Sequence, residues 1–228
     1  MAFDAKTFRT RTLTSIVFVV VMLTGLLWNQ WSFIILFTII HFGCWYEFVK
    51  LMKKINSKKY LYYVPFGLLY ITLPVLIMIY FRETGNVYKG KLIFIEFGRV
   101  LPCGIIFSIW INDTMAYIVG SFIGKTPFSK ISPKKTWEGT IGGALLCTAT
   151  ITLAGNATGF YNYKDWMAIA FCCAVFGTIG DLIESKLKRI AQVKDSGTLM
   201  PGHGGFLDRF DSLLVAIPFV GLYYFLCM

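Results

Sequence analysis

A helix of about 20 apolar residues is long enough to cross the hydrocarbon of a bilayer, and this chain contains apolar runs of that order one after another. They cover residues 13–28, 31–49, 60–81, 92–123, 139–153, 166–183 and 212–228, with short polar or charged segments between them. The run 92–123 is interrupted by Glu96, Arg99, Asn112 and Asp113 and is long enough to hold two pieces. The expected fold is an all-α polytopic membrane protein with about seven transmembrane helices, in the range six to eight. Composition agrees: 56% of residues are hydrophobic and 15% charged, against about 25% charged in a soluble domain. No cleavable leader is expected, because the first run lacks a small-residue cleavage site and a second run follows at once.

Charge sets the expected orientation. The formal net charge is +10, which suits nucleic acid, an anionic membrane face or a phosphorylated substrate. If the N-terminus is cytoplasmic, 17 of the 22 Lys and Arg fall in the head and in the segments near 50–59, 125–135 and 186–209, all on the cytoplasmic side. Only Arg82, Lys89, Lys91, Arg99 and Lys164 fall on the other side. That bias is the positive-inside pattern. It predicts a polar cavity open to the cytoplasmic side. Two regions are expected: residues 1–100 with about three spans, and 101–228 with the functional motifs. The cysteines (44, 103, 147, 172, 173 and 227) sit in apolar runs without a CxxC pair, so they read as small hydrophobes.

Three polar segments carry chemistry. In Asn112-Asp113-Thr114, an ionised carboxylate inside an apolar stretch costs at least a few kcal/mol. Asp113, Tyr117, Gly120 and Gly124 share one helical face, and the GxxxG pair lets another backbone approach closely. A helix-start cap is the alternative reading of Asn112 and Asp113. The loop Ser132-Pro133-Lys134-Lys135-Thr136-Trp137-Glu138-Gly139 pairs lysines with hydroxyls, a combination that suits a polyphosphate. A juxtamembrane basic anchor is its bland alternative.

The third segment, 180–212, is the most informative. Asp181, Ser185 and Lys188 share a helical face. Lys194-Asp195, Pro201-Gly202, His203-Gly204-Gly205, Asp208, Arg209 and Asp211 follow. Acids at the ends of apolar runs suit a hard cation such as Mg²⁺, which takes carboxylates together with substrate phosphates. Glycines beside them admit phosphates to backbone amides. A solvated charged loop explains the charges but not the carboxylates at both run ends. His203 reads as a site residue, and His41 as a buried or interfacial structural one. Trp45 and Glu47 read as interface residues.

The segment 185–211 resembles the signature of the phosphatidate cytidylyltransferases, also called CDP-diacylglycerol synthases. It runs from Ser185-Lys186-Leu187-Lys188-Arg189 through Lys194-Asp195-Ser196-Gly197 to Pro201-Gly202-His203-Gly204-Gly205-Phe206-Leu207-Asp208-Arg209-Phe210-Asp211. Met200 departs conservatively from the usual Leu, Ile or Phe. The segment from Asn112 through Gly124-Lys125, and Ser132 to Gly139, look like companion motifs, so the resemblance extends from about residue 110 onwards. Residues 1–100 match only as apolar spans.

The resemblance implies transfer of CMP from CTP to phosphatidic acid, giving CDP-diacylglycerol and pyrophosphate in phospholipid biosynthesis. It implies Mg²⁺ with K⁺ as a possible second cation, a homodimer among membrane lipids, and a bacterial inner membrane with the active site facing the cytoplasm. No nucleic-acid partner is expected. Asp181 and Asp208 are implied as metal ligands, with Asp211 and Asp195 as further ligands or orienting groups. Lys194 and His203 join Asp181, Asp195 and Asp208 as candidate catalytic residues. Ser132, Lys134, Lys135, Thr136, Ser185, Lys188, Arg189, Arg209, Asn112 and Asp113 are candidate substrate-binding residues. Three rival classes make different demands on the sequence or the products. A transporter would scatter charges mid-span. A CDP-alcohol phosphatidyltransferase needs a DG…AR…G…D…D pattern that is absent. A CTP-dependent lipid kinase would release CDP.

Overall fold

A computed structural model describes residues 5–84, 94–198 and 204–228. Among them the chain forms seven helices and no strand: α1 Ala5–Leu27, α2 Gln30–Ile55, α3 Tyr60–Thr84, α4 Phe94–Ile123, α5 Trp137–Asn156, α6 Tyr163–Ile190 and α7 Leu207–Cys227. α3 opens as a 3₁₀ turn and passes through a π-helical turn at Leu68–Thr72. Expected breaks have local causes. Asn29 Oδ1 accepts the Ser32 amide at 2.8 Å while Ser32 Oγ accepts the Asn29 amide at 3.0 Å. That reciprocal pair satisfies donors a helix start otherwise leaves open. Thr136 Oγ1 caps α5 by accepting from the Gly139 amide at 3.2 Å.

The described part of the run 92–123 is one helix rather than two pieces: α4, Phe94–Ile123, runs through Pro102 and through Asn112 and Asp113. Five helices are long and apolar enough to cross a bilayer: α2, α3, α4 over Gly98–Ile123, α6 and α7. The apolar part of α1, Thr12–Leu27, is shorter, and in α5 glycine and threonine dilute the hydropathy of a 20-residue helix. The outer surfaces are apolar, with Phe122 83% and Leu153 75% exposed. In water each such side chain forfeits about 1.5–3 kcal/mol of burial; against hydrocarbon it does not.

The chain forms two compact units. The first comprises Met1–Val75 with Leu187–Phe210. Its core is built on Met22, Leu26, Phe33, Phe37, Ile40, Cys44 and Phe48. His41 Nε2 and Trp45 Nε1 both meet Thr72 Oγ1, at 3.0 and 2.9 Å. The second comprises Leu76–Lys186 with Asp211–Met228. There Trp166 is buried against Gly104 and Gly155, positions where a Cβ would collide with its ring. None of the six cysteines is joined in a disulfide.

Candidate functional site

In the second unit α4 and α5 approach backbone to backbone. A Cβ on Gly139 would lie 2.7 Å from the Ala116 carbonyl and 2.9 Å from Gly120 Cα, so only small residues permit this packing. Beside it opens a cavity of about 510 Å³. Asn112, Asp113 and Tyr117 of α4 line it, with Ser132, Lys134, Lys135 and Thr136 of the loop and Thr178 and Asp181 of α6. Four candidates from the loop, two from α4 and one from α6 thus meet at one space. The helix-start alternative for Asn112 and Asp113 does not hold, because both lie in the body of α4.

The loop between α4 and α5 is a small closed structure. The Phe128 amide donates to the Lys135 carbonyl at 2.7 Å, and the Trp137 amide to the Thr126 carbonyl at 3.0 Å. Glu138, ahead of the apolar run of α5, accepts the Lys125 amide at 3.1 Å and the Thr126 amide at 3.1 and 3.2 Å. These amides, with its own and the Thr126 hydroxyl, hold the Glu138 carboxyl down to about 2. Bonds made only to the charged form favour that form. The lysines are therefore presented from a braced turn.

Lys135 forms an ion pair with Asp181. Asp181, Glu184 and Asp211 each offer a carboxylate oxygen within 4.8 Å of the others. Asp181 is half-buried, and Glu184 and Asp211 are buried. The approach of the Asp211 backbone depends on Gly180, where a Cβ would lie 2.5 Å from the Asp211 carbonyl. Ser185 Oγ donates to Asp181 Oδ1 at 3.2 Å, one helical turn away. Glu184 was missed in the sequence. Its signal was its place three residues after Asp181, at the end of an apolar run.

In the first unit Asp208 is the acceptor for the signature loop. Its Oδ1 takes Lys188 Nζ at 2.6 Å. Its Oδ2 takes the Ser196 amide at 2.8 Å, Ser196 Oγ at 2.9 Å and the Gly205 amide at 2.8 Å. Gly204 has φ +85°, a left-handed conformation that glycine adopts without cost. Lys194 and Asp195 are exposed and line a pocket of about 290 Å³ with Lys50, Lys54, Ser196 and Thr198. Arg189 and Arg209 are exposed. His203 lies outside the described residues.

Glu47 corrects the sequence reading. It is 3% exposed and not an interface residue. Its carboxylate accepts Ser196 Oγ at 2.7 Å, the Phe206 amide at 3.0 Å and the Leu207 amide at 2.9 Å. The available signal was a carboxylate inside an apolar run, which is costly unless partnered.

The profile of the Cytidylyltransferase family matches residues 96–227, more than half of the 228. A phosphatidate cytidylyltransferase of Bacillus subtilis (strain 168) is 42% identical over 153 residues, covering 65% of this chain and 53% of that protein. One of Staphylococcus aureus (strain COL) is 43% identical over 117 residues, covering 50% of this chain and 45% of that protein. One of Staphylococcus haemolyticus (strain JCSC1435) is 42% identical over 117 residues, with the same coverage. The chain spans about half the length of these curated relatives.

Proposed function

The chain belongs to the Cytidylyltransferase family, and on that premise we propose that it is a CTP:phosphatidate cytidylyltransferase, making CDP-diacylglycerol for phospholipid biosynthesis. The observation that carries the reading is the cavity in which Lys134, Lys135, Ser132 and Thr136 meet Asp181. Two lysines and two hydroxyls there suit a triphosphate, and the acid beside them suits a cation bound to it.

In the proposed reaction a phosphate oxygen of phosphatidic acid attacks the α-phosphorus of CTP. A new P–O bond forms, the bond to the β-phosphate breaks, and pyrophosphate leaves. The attacking group is already an oxyanion, so no serine or cysteine nucleophile is needed. The difficulty is the repulsion of two polyanions, which positive charge placed beforehand lowers. Lys134 and Lys135 neutralise the triphosphate. Ser132 and Thr136 orient it, and Asn112 and Asp113 support the cavity from α4. Lys188, Arg189, Lys194 and Arg209 are assigned to phosphate charge, and Ser185 to orienting Asp181. His203 and Asp195 are assigned to the signature loop as groups that contact substrate.

The donor set of Asp181, Glu184 and Asp211 fits a divalent cation. It offers hard carboxylate oxygens in a small, half-buried space. We assign Mg²⁺ there, and Asp208 as a further carboxylate for cation binding, with K⁺ as the second cation. When bound, Mg²⁺ supplies positive charge to the phosphate oxygens and to the leaving pyrophosphate.

The proposed setting is a bacterial inner membrane, with seven spans if α1 and α5 also cross, the N-terminus and the polar cavity on the cytoplasmic side, the catalytic region at 101–228, and a homodimer. The lysine and arginine bias supports the orientation.

The test is direct. Purified protein in mixed micelles with phosphatidate, CTP and Mg²⁺ is expected to release pyrophosphate and form CDP-diacylglycerol in equal amounts. Release of CDP with a phosphorylated lipid would establish a lipid kinase instead. No consumption of CTP would remove the reading.

A further inference from the structure

We infer that Glu47 is a positioning residue for the signature loop. It lies on α2, outside the residues matched to the family. The inference rests on the proposed reaction only for its kinetic readout.

The argument begins with burial. A carboxylate 3% exposed in a membrane protein is retained at a cost unless its lone pairs are filled. Among the described residues, the hydrogen-bond partners of Glu47 come from the signature segment. The Phe206 and Leu207 amides lie at the start of α7, where a helix has N–H groups without internal partners and where negative charge is favoured. The third donor is Ser196 Oγ. A Cβ on Gly197 or Gly205 would collide with the Glu47 carboxylate, so both glycines are needed for the loop to close on it. Ser196 then connects Glu47 to Asp208. Its hydroxyl lies 2.7 Å from Glu47 Oε2 and 2.9 Å from Asp208 Oδ2, while its amide donates to Asp208. One hydroxyl proton serves one carboxylate at a time, so the two acids share it.

Glu47, Lys50 and Lys54 also share a face of α2, by their i, i+3, i+7 spacing. Lys50 and Lys54 line the 290 Å³ pocket with Lys194, Asp195, Ser196 and Thr198. Anchoring Ser196 and the start of α7 to Glu47 therefore sets three things at once: the donors around Asp208, the wall of that pocket, and the lysines facing it.

Glu47→Gln keeps the volume but replaces one acceptor oxygen with an NH₂ group, which must then face an N–H or O–H donor. The expected result is a tenfold or greater fall in kcat for CDP-diacylglycerol formation with KM for CTP within twofold. Amide exchange at Phe206 and Leu207 should be at least tenfold faster. Ser196→Ala should lower kcat as well, and the double variant should lose no more than the worse single, because both act through one connection. Wild-type kcat in Glu47→Gln, losses that multiply in the double variant, or unchanged exchange would each overturn the inference. If Glu47→Gln does not fold, Ser196→Ala decides it: lowered kcat with faster exchange at Gly205 supports it, and wild-type values overturn it. If the wild-type protein forms no CDP-diacylglycerol, the reaction is removed, and the exchange comparison still tests the loop assignment by itself.

Discussion

Lys135, from the loop between α4 and α5, forms an ion pair with Asp181 on α6. The pair puts a cation that suits phosphate against an acid that suits a metal. On the proposed reading, Lys135 would compete with a cation for Asp181 and would turn to the triphosphate when nucleotide binds. Lys135→Gln is therefore expected to raise KM for CTP about 10- to 100-fold, the loss of one charged hydrogen bond of about 1.5–3 kcal/mol. It should also tighten Mn²⁺ binding measured calorimetrically without nucleotide. An unchanged KM would take Lys135 out of CTP binding.

Glu184 tests the metal assignment, because sequence pattern alone did not select it. Glu184→Gln should raise the Mg²⁺ concentration for half-maximal turnover at least tenfold, a weakening of the size expected when a metal site is perturbed. Chelation should abolish wild-type turnover, and added Mg²⁺ should restore it. A wild-type Mg²⁺ titration in Glu184→Gln would restrict the site to the aspartates.

Asp208 holds four donors in the signature loop. Asp208→Asn is expected to raise the Mg²⁺ requirement and to lower the melting temperature, since an amide NH₂ then confronts donors. Near-normal turnover across Mg²⁺ concentrations would remove Asp208 from cation binding.

Glu138 gives a pH prediction of definite sign. Its carboxyl is held down to about 2, below its unfolded value. Its stabilisation of the loop is fully present above about pH 4.5 and is lost as pH falls towards 2. Between pH 5 and 8 the pH profiles of wild type and Glu138→Gln should run parallel, with the variant showing a several-fold higher KM for CTP. Profiles that diverge near neutrality would contradict the clamp.

Orientation can be read by labelling in a cysteine-free background. Lys58→Cys and Lys130→Cys should react with an impermeant maleimide from the cytoplasmic side, and Lys164→Cys from the opposite side. Labelling of all three from one side would contradict the proposed span arrangement.

Local pattern determined the helical architecture, the break at Asn29, and the loop at 132–136. These depend on contiguous apolar length, on capping chemistry and on charge, all of which are written along the chain. Pattern also marked Asp113, Asp181 and Asp208 as acids worth explaining, because carboxylates at the ends or middles of apolar runs need partners. Tertiary structure decided which partners they have. α4 continues through Pro102, so Asn112 and Asp113 line a cavity and do not cap a helix. Glu184 joins Asp181 through a helical turn, and Asp211 joins them because Gly180 leaves room for its backbone. Glu47 meets Ser196 from 149 residues away. That last contact has no local signature, because a hydrogen bond across such a separation depends on α2 and the segment that follows α6 being brought together before either side chain can find the other.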